Sequence, residues 1–326
     1  MPSQAPELSV VLVTPHRFAA VRNVVRHLRA QNVRDRLELI VVAPERDGLG
    51  IIDAEVHCFH SSRIVEIGRI ESGGQMVAAG VRAATAPVVV YVEEHSFPEP
   101  GWAEALINAY QGGWAAVGPA VGNANPDTAV SWAALFLEFG AWVPPAIAGE
   151  RRLLPSHQSS YKRSVLLKLG GELDDLLESE TTLQTRLLAQ GHRLYFEPAA
   201  RTSHVNVSKL SELIAIEYQN YRMFAANRAL HGHWSTARRA LYVSCGALLP
   251  VVRIYRTLRE VRRSRHLREL GLRMCVPLLL GAVAAAVGEG MGFTFGPGAA
   301  AANRLTFELE RLQHVTDADR QRLTAQ

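Results

Sequence analysis

Residues 87–102 read Pro87-Val-Val-Val-Tyr-Val-Glu-Glu-His-Ser-Phe-Pro-Glu-Pro-Gly-Trp102. Four valines and a tyrosine in one run, with no polar alternation, predict a strand covered on both faces, as in a parallel sheet. The run ends in Glu93, Glu94 and His95, three side chains that can hold a proton or a cation, and then in a turn rich in Pro and Gly. In open α/β sheets, ligands bind beyond the carboxyl ends of the strands. Position alone therefore makes this triplet a candidate site.

The same kind of run recurs to either side. Residues 8–14, Leu-Ser-Val-Val-Leu-Val-Thr, stop at Pro15, and a second buried run covers 37–43. Between them, Val21, Val24, Val25 and Leu28 fall at helical spacing with basic residues on the other face. Strand, helix, strand in this order is a βαβ unit with a right-handed crossover. Further strands are expected at 56–59, 64–67 and 115–121, and helices at 73–84, 102–110, 130–142 and 163–169. A polar loop is expected within 153–162. A helix over 178–190 closes at Gly191, and a strand at 193–196 leads through Pro198 to His204 and Asn206.

Of the 326 residues, 48% are hydrophobic and 20% charged, which supports a sizeable core and excludes wholesale disorder. Cys58, Cys245 and Cys275 are odd in number and lack CxxC or Cys/His spacing, against a disulfide framework or a structural zinc site. The first seven residues have no basic stretch leading into an apolar one, so a signal peptide is not expected and the catalytic part is placed in the cytoplasm.

The composition changes after Val207. Apolar stretches at 240–252 and 274–288 flank Arg253, Arg256, Arg259, Arg262, Arg263, Arg265 and Arg268. The expected division is an α/β domain over 1–206, a helical membrane-associated region over 207–302, and an amphipathic C-terminal helix within 303–326. As a helix, 274–296 would reach roughly 35 Å, enough to cross a bilayer, although Glu289 interrupts it. The shorter stretch suits an interfacial or re-entrant helix, with the arginines at anionic headgroups on the cytoplasmic face. The alternative is a soluble helical cap whose apolar faces pack on each other. Nucleic acid is not an expected partner, because neither a binding motif nor interleaved aromatics accompany the arginines.

The order of these pieces resembles the family 2 glycosyltransferases with the GT-A fold, from about Leu8 to His204. Ser9-Val-Val-Leu-Val-Thr-Pro looks like that family's first strand and turn, and Glu38-Leu-Ile-Val-Val like its second strand. The Glu93-Glu-His triplet with its Pro-Glu-Pro-Gly-Trp tail sits where the family carries an acidic DXD-type motif. Ser159-Ser-Tyr-Lys-Arg, then Gly170-Gly, matches the acceptor-side loop and helix. Glu180-x-x-Leu-x-x-Arg-Leu-x-x-x-Gly matches the helix of the catalytic carboxylate, and Phe196-Glu-Pro with His204 matches the closing strand. Six pieces in order make the likeness specific.

It implies a GT-A nucleotide-sugar-binding α/β fold, Rossmann-like with a mostly parallel sheet, followed by the helical membrane-associated region. It also implies an inverting transfer from a nucleotide sugar to a lipid-linked or cell-envelope polysaccharide acceptor, with nucleotide contacts from Thr14, Pro15, Glu45, Glu93 and Glu94. The chain departs from the pattern in four places. Ala43, Pro44 and Glu45 stand where the second strand usually ends in aspartates, and Ala78 replaces an asparagine. The triplet is Glu-Glu-His rather than Asp-x-Asp, and Ser179-Glu180 stands for a Glu-Asp pair.

Glycosyl transfer needs a clamp for the leaving diphosphate, a base for the acceptor hydroxyl, and a geometry that aligns them. Glu93, His95 and His204 are the candidate metal ligands, and a carboxylate/imidazole set suits Mn²⁺ better than Mg²⁺. Arg63, Arg69 or Lys162 are the metal-free alternative, and the triplet could also simply end a strand. Glu180 is the candidate base, with a solvated carboxylate at a helix N-terminus as the competing reading. His157, Gln158 and Tyr161 form a loop suited to acceptor hydroxyls, and Trp102 could stack on a sugar ring, although aromatics at helical spacing are more often core. A nucleotidyltransferase would need a Gly-rich basic loop after the first strand, which Pro15-His-Arg-Phe is not. A degenerate transferase acting as a binding or scaffold protein is the non-enzymatic alternative.

Overall fold

The computed structural model describes residues 5–15, 17–51, 53–265 and 271–325. Arg268 lies outside them. Strands β1 (Leu8–Val13) and β2 (Leu37–Ala43) are buried along their whole length, as their unbroken apolar runs require. Helix α1 (Arg22–Arg29) joins them, burying Val24, Val25 and Leu28. The strand expected at 56–59 is instead one helical turn, α2 (Asp53–Val56), and a tight turn in which the Phe59 N–H bonds the Val56 carbonyl. Val56 and Phe59 are both buried, and a spacing of three satisfies them from a turn as well as from a strand. Strand β3 follows at Ser61–Glu66.

Helix α3 (Gly73–Ala83) then returns the chain to β4 (Val88–Val92). Its small residues have a purpose: a Cβ on Gly80 would lie 2.4 Å from Val11 Cγ1, so the helix backbone sits directly on β1. The chain continues through β5 (Ser96–Pro98), α4 (Trp102–Ala109), β6 (Ala116–Asn123), α5 (Ala129–Phe139), β7 (Gly149–Arg151) and β8 (Ser160–Lys162). After α6 (Arg163–Leu167) and α7 (Leu173–Glu178), the helix expected over 178–190 begins two residues later than expected, as α8 (Glu180–Ala189). Strand β9 (Leu194–His204) runs unbroken through Pro198.

Among the described residues these strands form one sheet in the order β3-β2-β1-β4-β8-β6-β9-β5, with β7 paired to β9. The expectation of a mostly parallel sheet needs correction. β3, β2, β1 and β4 are parallel, but β8 runs antiparallel to both β4 and β6, as β7 does to β9. β8 is reached by a loop rather than a crossover helix, so it enters beside the carboxyl end of β4 and must run the other way.

At the opposite end of the strands, buried Glu38 ties β1, β2 and β3 together. It accepts from the Ser9 hydroxyl (2.5 Å) and the Thr85 N–H (2.7 Å) and pairs with Arg63 at 2.8 Å. Burial opposes its charge, but these partners outweigh burial and its pKa falls below the ordinary value. Arg63, a candidate for neutralising a diphosphate, is thus engaged with Glu38.

Contact density divides the chain into two units, 1–122 with 146–203 and 123–145 with 204–326, the line crossing β6 and β9 each at its last residue. The first unit is the sheet with its helices. The second contains α5, α9 (Leu210–His231), α10 (Thr236–Ser244), α11 (Leu249–Arg263), α12 (Cys275–Phe295), α13 (Ala300–Leu309) and α14 (Asp317–Ala325). The segment 123–145, expected within the first domain, belongs to this helical unit.

Two further expectations change here. The arginines do not link two apolar helices; most of them continue α11 itself. The single amphipathic helix expected within 303–326 is instead two, α13 and α14, with Asp319 buried against Asn125 and Arg322.

Helix α12 packs along α9 through glycines. A Cβ on Gly288 or Gly292 would lie 2.2 Å from the carbonyl oxygen of Tyr218 or Arg222. Glu289, the interruption seen in the sequence, is buried and pairs with Arg253 of α11 at 2.5 Å. On α9, Glu217 is also buried. Burial, with the charge of Glu138 adding and Arg253 opposing, raises its pKa to about 8. The folded state therefore keeps a proton that the unfolded chain releases near 4.5, and stability falls as pH rises from about 4.5 to about 8. Glu217→Gln should abolish that slope, so its calorimetric melting temperature exceeds wild type at pH 8 and converges with it near pH 4.5. The gain at pH 8 is on the order of a few kcal/mol. An unchanged slope in the variant would place the titration elsewhere.

Candidate active site

Strand β4 ends at Val92, and a turn closed by the Ser96 N–H on the Glu93 carbonyl (3.1 Å) turns the chain into β5. The triplet is that turn. Glu93 and His95 are buried and Glu94 nearly so. The two nitrogens of His95 stand 3.4 Å from a carboxylate on either side, Nε2 from Glu93 Oε2 and Nδ1 from Glu94 Oε1. β5 pairs with β9, and the last residue of β9 is His204, also buried.

One ligand atom from each of Glu93, His95 and His204 lies within 4.8 Å of the others. Oxygens and nitrogens bound at about 2.1–2.4 Å to one ion stand no further apart than that. This buried Glu/His/His cluster is geometrically suited to a divalent metal.

The residues behind it favour the same use. Asn206 donates its amide N–H to Asn123 Oδ1 and to the His204 carbonyl, so its Oδ1 is the acceptor facing His204 Nδ1 at 3.0 Å. Nδ1 thus carries the proton, and Nε2 has the lone pair a metal needs. Burial lowers the His204 pKa, with Arg311 adding and Glu138 and Asn206 opposing, which keeps the ring neutral. Glu93 Oε2 accepts from Gln158 Nε2 at 3.0 Å, and Gln158 also donates to Ser96 Oγ. No signal in the sequence singled out Asn206 or Ser96, because both act through their neighbours.

Glu180 opens α8 and is only 3% exposed. The break at Ser179 (φ −137°, ψ 87°) turns it away from Glu178, whose carboxylate instead accepts the Gly74 N–H at 2.7 Å near the start of α3. Glu180 Oε1 accepts the His157 N–H at 3.0 Å and Oε2 the Tyr161 hydroxyl at 2.9 Å. Burial, followed by the charge of Glu180, holds the Tyr161 phenol far above its usual pKa, so it stays a donor. Gln184 braces both ends of the loop, accepting from the Leu154 N–H (2.8 Å) and donating to the Tyr161 oxygen (3.1 Å).

The loop expected to meet an acceptor is therefore corrected in part. Gln158 and Tyr161 are buried and spent on Glu93 and Glu180, while His157 alone of the three reaches the surface. Trp102 is 1% exposed, a core residue with no ring face open to a sugar. Thr14 is buried, its hydroxyl closing the turn onto the Arg17 carbonyl at 2.8 Å, with Pro15 half-buried beside it. Glu45 is exposed in the loop after β2.

No protein-family model and no curated protein matches the chain. Among solved structures it is similar to the mannosyltransferase PcManGT from Pyrobaculum calidifontis, in complex with GDP-Man and Mn²⁺. The identity is 17%, the match covers 95% of this chain and 89% of that one, and the TM-score is 0.49.

Proposed function

We propose that the protein is an inverting glycosyltransferase of the GT-A type, moving a sugar from a nucleotide sugar to a lipid-linked or envelope-polysaccharide acceptor. The observation that carries this reading is the buried Glu93–His95–His204 set at the carboxyl end of β4, in a sheet whose next strand, β8, carries Tyr161 bonded to a second buried carboxylate, Glu180. A bound Mn²⁺ or Mg²⁺ would act there as a Lewis acid for a diphosphate.

Glu93, His95 and His204 hold that clamp. Gln158 fixes the Glu93 carboxylate, and Asn206 fixes the His204 tautomer. Glu180 is the carboxylate on which removal of the acceptor's proton depends. The direct test is thermal stability against a panel of nucleotide sugars. A cognate donor at saturation should raise the melting temperature by several degrees. A flat response across the panel would count against the reading.

The membrane belongs to the same proposal. Val276, Leu279, Val283 and Val287 form one exposed apolar stripe on α12, and Leu248, Val251 and Tyr255 another at the start of α11. Arg256, Arg259 and Arg262 follow on the exposed side of α11. Helix α12 is long and apolar enough to cross a bilayer, but half of it is buried. Its packing partner α9 carries Glu212, Glu217, Arg222 and Arg228, which a span would drag into hydrocarbon. A peripheral position on the cytoplasmic face, with the stripes in the interface, avoids that cost.

Each arginine at an anionic surface adds about 1 kcal/mol. The protein should therefore sediment with anionic liposomes, partly resist high salt and carbonate, and be released by mild detergent. Full solubility and indifference to anionic liposomes would make these helices a packing cap.

A further inference from the structure

The loop before β8 holds an arrangement that deepens this reading. Glu180 is 3% exposed and each of its oxygens already serves a protein donor, the His157 N–H on one side and the Tyr161 hydroxyl on the other. An acceptor hydroxyl would have to reach an atom enclosed by loop and helix. The neighbouring side chain is placed differently. His157 leaves 17% of its side chain open, and its Nδ1 lies 3.9 Å from Glu180 Oε1. Its ring stands edge-on to Tyr91 with centroids 6.2 Å apart. The backbone beneath it has φ +61°, in the left-handed region that residues other than glycine rarely adopt. Strain of this kind persists where the surroundings over-determine it, and here the bond from the His157 N–H to Glu180 does so.

We propose that the His157 imidazole is the proton acceptor of the transfer and that Glu180 is its positioning residue, an inference that rests on the glycosyltransferase reading above. In the step, the acceptor O–H bond breaks and its proton passes to His157 Nε2. The acceptor oxygen forms a bond to the anomeric carbon, and the bond from that carbon to the diphosphate oxygen breaks, its electron pair leaving with the nucleoside diphosphate. Nδ1–H donates to Glu180 Oε1, closing the present 3.9 Å gap as charge builds on the ring, since catalytic hydrogen bonds commonly tighten only with substrate bound. The imidazolium then returns its proton to water.

His157→Gly is the informative variant. Glycine adopts φ +61° without strain, and the backbone N–H to Glu180 survives, so the change removes only the ring. The readout is release of nucleoside diphosphate from UDP-glucose, GDP-mannose or UDP-N-acetylglucosamine, with water or a sugar as acceptor. Turnover should fall about a hundredfold with donor affinity unchanged, and added imidazole should restore part of it in proportion to its free-base form. Independently of turnover, the ¹⁵N-detected titration of His157 should move to lower pH in Glu180→Gln, as expected when a neighbouring carboxylate is lost.

Wild-type turnover in His157→Gly, or a loss that imidazole does not relieve in protein of unchanged melting temperature, overturns the assignment. A His157 titration indifferent to Glu180→Gln overturns the pairing alone. A wild-type protein that releases nothing from all three donors overturns the transferase reading, and the proton-acceptor role with it.

Discussion

Glu180→Gln should lose a hundredfold or more in turnover while binding donor nearly as well as wild type. The replacement has the same shape. Its carbonyl oxygen can still accept the His157 N–H, but its amide N–H then faces the Tyr161 oxygen, which already accepts from Gln184, so the Tyr161 hydroxyl proton loses its acceptor and the variant's melting temperature must be recorded alongside. The substitution removes the negative charge that would stabilise the proton leaving the acceptor. Stopped assays of nucleoside diphosphate release, paired with calorimetric donor titration, separate the two quantities. Unchanged turnover would remove Glu180 from the chemistry and reduce it to a brace for the loop. Attention would not then move to Glu178, which is committed to the Gly74 N–H.

The second large effect concerns the triplet. Replacing both Glu93 and His95 with alanine should weaken nucleotide diphosphate binding on the order of a hundredfold and remove any response to Mn²⁺. Losing even a residue that only supports a metal ligand typically costs 10–100-fold, and here two of three ligands go. The change also strands Gln158, which loses its bond to Glu93, so the melting temperature of the free protein must be recorded alongside. Gln158→Leu, which keeps all three ligands, should give a smaller loss in the same direction. Calorimetry showing full donor affinity in the double variant would make the triplet a strand end and move the site elsewhere.

What could be read from the sequence was what periodicity encodes. The runs at 8–14, 37–43 and 87–92 are β1, β2 and β4, because a strand with both faces covered has no room for alternation. The triplet was found because a polar group at a buried strand's end is conspicuous. Local pattern failed where long-range packing decided. Val56 and Phe59 suited strand and turn alike. The boundary at Ser179 between α7 and α8 has no proline or glycine to announce it, and buried leucines lie on both sides of it, Leu176 and Leu177 before and Leu183 after. The His157–Tyr161 loop reads as surface because its residues are polar, yet Gln158 and Tyr161 are buried, their polar atoms satisfied by carboxylates from other elements. Trp102 failed in the opposite sense, an aromatic near a candidate site that simply fills the core.

The arginines teach a related lesson. Seven in one segment suggested a single cationic surface, but Arg253 pairs with buried Glu289, and Arg263 donates to the carbonyls of Gly140 and Val143. Charge counted along the chain overstated the charge facing outward, and Arg256, Arg259, Arg262 and Arg265 are the exposed remainder among the described residues. The apolar stripes of α11 and α12 therefore contribute more of the expected membrane affinity than composition alone suggested.

Glu93 in the turn after β4 and Glu180 on α8 are proposed to act together in sugar transfer. Their joint role shows in the steady-state release of nucleoside diphosphate from a panel of nucleotide sugars by full-length protein on anionic liposomes, with wild type and Glu180→Gln side by side. Wild type should turn over at least one donor, and the variant about a hundredfold less. Tight binding of a donor with no release by either protein would contradict it, and would identify a nucleotide-sugar-binding protein that has lost the reaction.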